Sequence, residues 1–285
     1  MARTSRSKGL QAFTLAEGAT HVAQSAKTSR AAFTLAEVLI TLGIIGVVAA
    51  MTLPTLISNY QKRVYVTQLK KSVSVLSQGF TTMMGHDGVT RIPDTTAFSS
   101  TTSYIPGFGT DCGAGNILTD GCRRLREELE SVFSGIQFTP CDGVQVNLLN
   151  GTDASYYTDK RSSDKTCINF PDGSMIFIYT FYAPTSRYGN QNHPTGGYSA
   201  DFTIDVNGPK NPNTYGRDIF NLKLANNGVV YGHGSQTVAE LNDPRGDMWQ
   251  SRYWRTATSN SSKCTTEASG TACAGRVLEE DAMNY

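Results

Sequence analysis

Two groups of residues have the types and spacing to do chemistry. The first is Glu37, four residues past Phe33 at the head of the uncharged apolar run Val38 to Leu53. A carboxylate carried into a hydrocarbon setting is costly unless something meets it, so Glu37 predicts a partner. The second is the stretch from Asp205 to Asn213, Asp-Val-Asn-Gly-Pro-Lys-Asn-Pro-Asn, with Gly216-Arg-Asp218 close behind. Asp205, Asn207, Asn211 and Asp218 offer hard oxygen donors of the kind Ca²⁺ takes. The EF-hand pattern, Asp-x-Asp-x-Asp-Gly with a distant Glu, is absent. A Gly/Pro/Asn turn whose side chains cap the backbone would use the same residues, and both readings stand at this point. No other cofactor is expected.

Nothing else in the sequence has catalytic spacing. His21, His86, His193 and His233 lack the arrangement of a zinc site. There is no Gly-x-Ser-x-Gly elbow, phosphate loop or His-Glu-x-x-His, so the chain reads as a non-enzyme, with a tethered hydrolase as a minor rival. Trp249, Tyr253 and Trp254 form either an aromatic binding face or a short helix covering the core. A net charge of +1 with 17% charged residues gives no direct nucleic-acid signal, since such proteins carry a basic patch. The six cysteines, Cys112, Cys122, Cys141, Cys167, Cys264 and Cys273, all follow the apolar run. An even count there predicts disulfides. Short loops close easily, which favours Cys112–Cys122, Cys141–Cys167 and Cys264–Cys273. A metal cluster would want a C-x-x-C that is not there.

The elements that must position these residues begin with one helix. Phe33 to Leu53 is 21 residues. As a helix at ~1.5 Å per residue it reaches ~31 Å, about one bilayer core. Arg3, Arg6, Lys8, Lys27 and Arg30 precede it against the single acid Glu17. That bias holds the N-terminus in the cytoplasm and sends the rest outward. A cleaved secretory signal would need a shorter run and a better site than Ala49-Ala50-Met51, and a plain membrane anchor is the simpler rival. Gly43 and Gly46 let copies of the helix approach closely, and Pro54 predicts a bend. From Thr55 to Met84, Leu69, Val73, Leu76, Phe80 and Met83 recur at helical spacing as one apolar stripe, and Gly85 is expected to end the helix. Residues 85–120 read as a long loop, and Gly121 to Phe133 as a short charged helix. The rest alternates like strands: Val144 to Leu148, a hairpin through Pro171-Asp172-Gly173, Asp201 to Val206, and a hairpin through Asn226-Asn227-Gly228. One long helix followed by short strands predicts an α+β fold with the helix laid on an antiparallel sheet.

Ala32-Phe33-Thr34-Leu35-Ala36-Glu37, the apolar run and Pro54 together resemble the type IV pilin and type II secretion pseudopilin superfamily. The resemblance is strong from Ala32 to about Phe80 and weak beyond. It implies cleavage between Ala32 and Phe33 by a prepilin peptidase, methylation of the new Phe33 amine, and polymerisation through the N-terminal helix. Ala32 stands where that superfamily usually has Gly. The implied partners are the peptidase, other pilin or pseudopilin subunits, the assembly platform and the bacterial inner membrane. The implied product is a cell-surface or periplasmic filament. The parts are then a leader at 1–32, a transmembrane and assembly helix at 33–54, its amphipathic continuation at 55–84, and an extracytoplasmic head at 85–285. The tail closed by Cys264 and Cys273 also resembles the disulfide loop of many pilins. The rival reading is an anchored adhesin or ligand-binding protein that never polymerises. Ala12 to Glu17 duplicates Ala32 to Glu37, but the polar residues behind it cannot span a membrane, so that copy is not expected to be processed.

Overall fold

The computed structural model describes residues 34–99, 105–106, 120–140, 145–154, 166–181, 198–235, 254 and 263–285. Leu53–Tyr285 form one compact unit and the residues before Leu53 another. Helix α1 (Leu35–Asp87) supplies all that is described of the first unit apart from Thr34. Among the described residues it is the one helix long and apolar enough to cross a membrane. In that segment Leu39, Ile40, Leu42, Ile44, Ile45, Val47 and Val48 are all exposed. The hydroxyls of Thr41 and Thr52 donate to Val38 O and Val48 O, at 3.0 Å each. The helix thus satisfies its own polar side chains, as an apolar solvent requires. Pro54 lies inside α1 and does not end it.

In the second unit α1 changes character. Leu69, Leu76, Phe80 and Met83 are buried, with Val73 packed beside them, which is the stripe the spacing predicts. The helix ends later than expected, at Asp87. Gly88 takes φ +65°, its N–H donates to Gly85 O, and Val89 N–H donates to Met84 O. This is a Schellman ending, which wants a left-handed residue followed by an apolar one. Val89, partly buried against the core, supplies the second requirement, and nothing comparable follows Gly85.

The region read as a loop holds short elements: a 3-10 turn at Ile92–Asp94, α2 (Thr96–Ser99) and β1 (Ile105–Pro106). Asp87 fastens α2, accepting Thr96 N–H and Oγ1–H at 2.7 Å each, and this buries Ile92 and Phe98. Then come α3 (Asp120–Val132), β2 (Gln137–Pro140), β3 (Thr166–Asn169), β4 (Met175–Phe181), β5 (Tyr198–Asp205), β6 (Ile219–Ala225), β7 (Val230–Gly232) and α4 (Cys273–Glu280).

The strands form one antiparallel sheet in the order β2-β3-β4-β5-β6-β7, with β1 pairing the far end of β4. Both expected hairpins are present, and their turns rest on Gly173 at φ +88° and Gly228 at φ +86°. Alternation along the strands sorts side chains between two clusters. Ile168, Ile176, Phe202, Ile204, Phe220, Leu222 and Leu224 join the α1 stripe, α3 and α4 in the larger core. Met175, Phe177 and Ile219 join Val146, Cys167 and Tyr215 in the smaller one.

Two further expectations need correction. Val144 to Leu148 does not form a strand in the described residues: Asn147 makes isolated bridges to Asp153 and Thr214. Gly151, at φ +83°, turns the chain back so that Leu148 N–H meets Thr152 O and Ala154 N–H meets Val146 O. The segment's alternation is spent on this small turn. At the other end, α4 occupies a tail expected only as a closed loop. It lies so near β7 that no side chain separates them. A Cβ on Gly232 would meet Ala274 C at 2.6 Å, and Gly275 N–H donates to His233 O at 2.9 Å.

Candidate functional site

The start of α1 is built from Thr34 and Glu37. Thr34 N–H donates to Glu37 Oε2 at 2.8 Å, and the Thr34 hydroxyl donates to the same oxygen at 2.9 Å. Glu37 N–H returns a bond to Thr34 Oγ1 at 3.2 Å. This is a capping box, and it satisfies two orphan donors of the first turn. Its signal in the sequence is Ser/Thr-x-x-Glu ahead of an apolar run. Thr34 is therefore the residue that a charge-based reading misses. The box gives Glu37 hydrogen bonds but no opposite charge. Glu37 is the only charged residue between Thr34 and Gln61. Ala32 and Phe33, the expected processing pair, lie outside the described residues.

The second site is the loop from Asp205 to Asp218, which joins β5 to β6. Asp205 and Asp218 are both fully buried, and Asn213 is 5% exposed. Asp218 accepts Asn213 N–H at 2.9 Å and Thr214 N–H at 2.7 Å. Asp205 Oδ1 accepts Asn207 N–H at 3.1 Å. Burial pushes the Asp205 carboxyl up to about 8, and the Asp218 charge adds to that rise. Burial likewise raises Asp218, against the backbone N–H groups it accepts. Tyr65 on α1 is also raised, by burial first and then by the negative charge of Asp218 and Asp205.

The fold brings Asp205, Asn207 and Asp218 together, Asn207 hydrogen-bonding to both carboxylates. Asn211 is exposed, and Asn213 supplies the third buried side chain. Asn213 sits at φ +44°, a conformation asparagine tolerates better than most residues. The repeated Asn-Pro-Asn is the available signal, but it does not say which asparagine turns inward. No group of three or more His, Cys, Asp or Glu residues converges among the described residues.

The cysteines are only partly within view. Cys264 and Cys273 are joined, as expected, and Cys167 is also disulfide-bonded. Cys112, Cys141 and the side chain of Cys122 lie outside the described residues, so neither of the other two expected pairings is placed. The Cys264–Cys273 link packs with Leu149 and Trp254. Arg276 stacks over the rings of Trp254 and Tyr285, at 4.9 Å and 5.4 Å. Trp254 thus covers the tail, while Trp249 and Tyr253 lie outside the described residues. Tyr285 donates its hydroxyl to Gly216 O, and burial raises its phenol.

Residues 27–53 match a family model described as the prokaryotic N-terminal methylation motif, the prepilin motif of type IV pilins and pseudopilins. No curated protein and no solved structure matches the chain.

Proposed function

We propose that this chain is a structural subunit of a type IV pilus or type II secretion pseudopilus. It is made as a single-pass inner-membrane precursor with its head outside the cytoplasm. A prepilin peptidase cuts between Ala32 and Phe33, the Phe33 amine is methylated, and subunits polymerise through α1 on an assembly platform.

One observation carries the reading: an exposed apolar helix that begins with the prepilin motif and holds a lone carboxylate, Glu37. Cleavage would create an amine of ordinary pKa ~8, cationic at neutral pH. Two such helices, staggered by a short axial step, set the Glu37 of one beside the Phe33 amine of the next. In low dielectric each charge alone is costly and the pair is tolerable, so the pair fixes register more than it adds stability. The capping box is compatible with this, because a carboxylate has lone pairs to spare after Thr34 is served.

Glu37→Gln is the sharp test, because Gln keeps the capping box and removes the charge. The variant is expected to insert in the membrane and be cut, yet to be left out of filaments. Normal filament yield would refute the register role. Mass spectrometry of the mature chain is expected to find N-methyl-Phe33. A chain that still begins upstream and stays dispersed as single molecules would instead establish the anchored, non-polymerising alternative.

A further inference from the structure

The apolar surface of α1 continues past Leu53, where the sequence closes the span. Leu56, Ile57 and Tyr60 are 66%, 53% and 68% exposed. With Leu53 they fall at i, i+3, i+4 and i+7, one stripe along the helix. Pro54 to Tyr60 is seven residues, ~10 Å of helix, and the headgroup layer on one side of a bilayer is ~5–7 Å thick. A span that closes at Leu53 therefore sets this stripe in the outer polar layer, where tyrosine is favoured. Lys62 and Arg63 come directly after it. Lys62 lies four residues before the buried Val66 and seven before the buried Leu69, on the side of α1 that the head covers.

The β5–β6 loop brings two more cations to this end of the head. Arg217 is close enough to Tyr65 to lower its phenol, against the rise that burial, Asp218 and Asp205 cause. The Asn207 amide donates to Lys210 O at 3.2 Å and its side chain also bonds Asp218, which holds Lys210 in the same place. The loop's acids, Asp205 and Asp218, are turned inward and fully buried, while Pro209, Lys210, Asn211 and Arg217 are exposed. None of Lys62, Arg63, Lys210 and Arg217 makes an ion pair among the described residues. Higher on the helix the pattern reverses: Lys70 pairs with Asp281, and Lys71 with Asp172 at 2.9 Å. The head thus supplies acids to the upper lysines and none to the lower cations. A single exposed cation is content in water, but four together with no acid beside them make a field that attracts anions.

We propose that this end of the head docks on the outer face of the membrane. Lys62, Arg63, Lys210 and Arg217 meet the phosphates of anionic phospholipids, and Leu56, Ile57 and Tyr60 lie among the headgroups and upper acyl chains. The occupant is lipid because the basic surface adjoins the apolar stripe, and the stripe continues the span. Lys and Arg suit the task, since their apolar stems lie along hydrocarbon while their charged ends reach the phosphate layer. Docking holds the unassembled subunit at one depth and one rotation, and filament entry must break it. The inference rests on the single-pass membrane placement proposed above, and not on cleavage or polymerisation.

The test places the full chain in lipid nanodiscs of phosphatidylcholine alone, or of an equal mixture with phosphatidylglycerol, and reads amide hydrogen exchange by mass spectrometry. Exchange in peptides covering 205–218 is expected to slow about fivefold or more in the mixed lipid, following the ~1 kcal/mol of a basic residue at an anionic surface. Raised salt should abolish the difference. Lys210→Gln with Arg217→Gln is expected to remove the slowing, and Lys62→Gln with Arg63→Gln to reduce it. Wild-type exchange in β4 to β6 shows that these surface variants are folded. Equal exchange in the two lipids, or slowing that survives all four substitutions, overturns the proposal. So does salt-sensitive slowing in phosphatidylcholine alone that grows with protein density, which assigns the basic surface to an acidic face of a second copy. Flotation with vesicles of both compositions checks the membrane placement separately. A chain that floats with neither refutes that placement, and this proposal with it.

Discussion

Gly79→Ala gives a direct measure of how tightly the head is seated on α1. Gly79 is buried in the helix, and a Cβ built on it runs into the ring of Phe133. That ring has little room to retreat. It stands edge-on to Phe80 at 5.7 Å and to Phe170 at 5.9 Å, and the Phe133 N–H is tied to Leu129 O at 2.9 Å. Two effects oppose each other. Ala favours the helix over Gly by ~1 kcal/mol. Forcing a methyl into a filled core costs about 1–3 kcal/mol. The net expectation is a loss of about 0–2 kcal/mol, too near zero to be read alone. Gly85 provides the reference. It lies in the same helix, and a Cβ placed on it would meet nothing within 4 Å, so Gly85→Ala carries the propensity gain without the clash. The difference between the two variants isolates the clash, at about 1–3 kcal/mol. The assay is thermal or urea unfolding of the full chain in detergent, followed by near-ultraviolet circular dichroism. Gly85→Ala should melt higher than wild type and Gly79→Ala clearly lower than Gly85→Ala. Phe133→Leu added to Gly79→Ala should recover part of the loss. If Gly79→Ala is as stabilising as Gly85→Ala, the packing between α1, α3 and the turn after β3 has been misjudged.

Four other outcomes are expected elsewhere in the chain. Phe80→Ala, which removes a 1%-exposed ring stacked 5.7 Å from Phe202, should destabilise the head by about 3–5 kcal/mol in urea unfolding. Val48→Ala, on the exposed apolar face, should leave head unfolding unchanged. Replacing both Cys264 and Cys273 by serine opens a loop of separation 9 and should lower stability by about 2–3 kcal/mol in the same assay. Asp172 should add an acid-dependent contribution. Burial pushes its carboxyl up, but bonds from Ser174 and the Lys71 ammonium at 2.9 Å outweigh that and hold it below its ordinary 3.8. A depressed folded value means the contribution is complete above the ordinary pKa and lost as pH falls through the folded one. The melting difference between wild type and Asp172→Asn should therefore be steady near pH 6 and shrink as the pH falls below the ordinary 3.8.

Much of the head could be read from residue order. Pro171-Asp172-Gly173 and Asn226-Asn227-Gly228 name their turns because only glycine sits easily at the positive φ found at Gly173 and Gly228. The α1 stripe is legible because apolar spacing reports which side of a helix is buried, whatever covers it. What escapes depends on partners far along the chain. Gly85 and Gly88 are equal as glycines, and the choice falls to Gly88 because Val89 finds the core. The alternation at 144–148 is genuine, but Asn147 meets Asp153 and Thr214 rather than a neighbouring strand. Asn213 and Asn211 flank the same proline, and only the folded loop decides which one is buried. Thr34 escapes for a different reason: the charge of Glu37 overshadows the plainer capping pattern beside it.

The glycine seam between β7 and α4 bears on crowding. Wherever heads are held side by side, the bare rim of a sheet is a template onto which a neighbour's strand can add. β7 ends the strand order and is only three residues long. The carbonyl of His233, just past it, is already taken by Gly275 N–H. A side chain at Gly232 or Gly275 would lever the helix backbone away and uncover that rim. The expected outcome is lateral stickiness between heads, growing with protein density, ahead of any gross loss of fold.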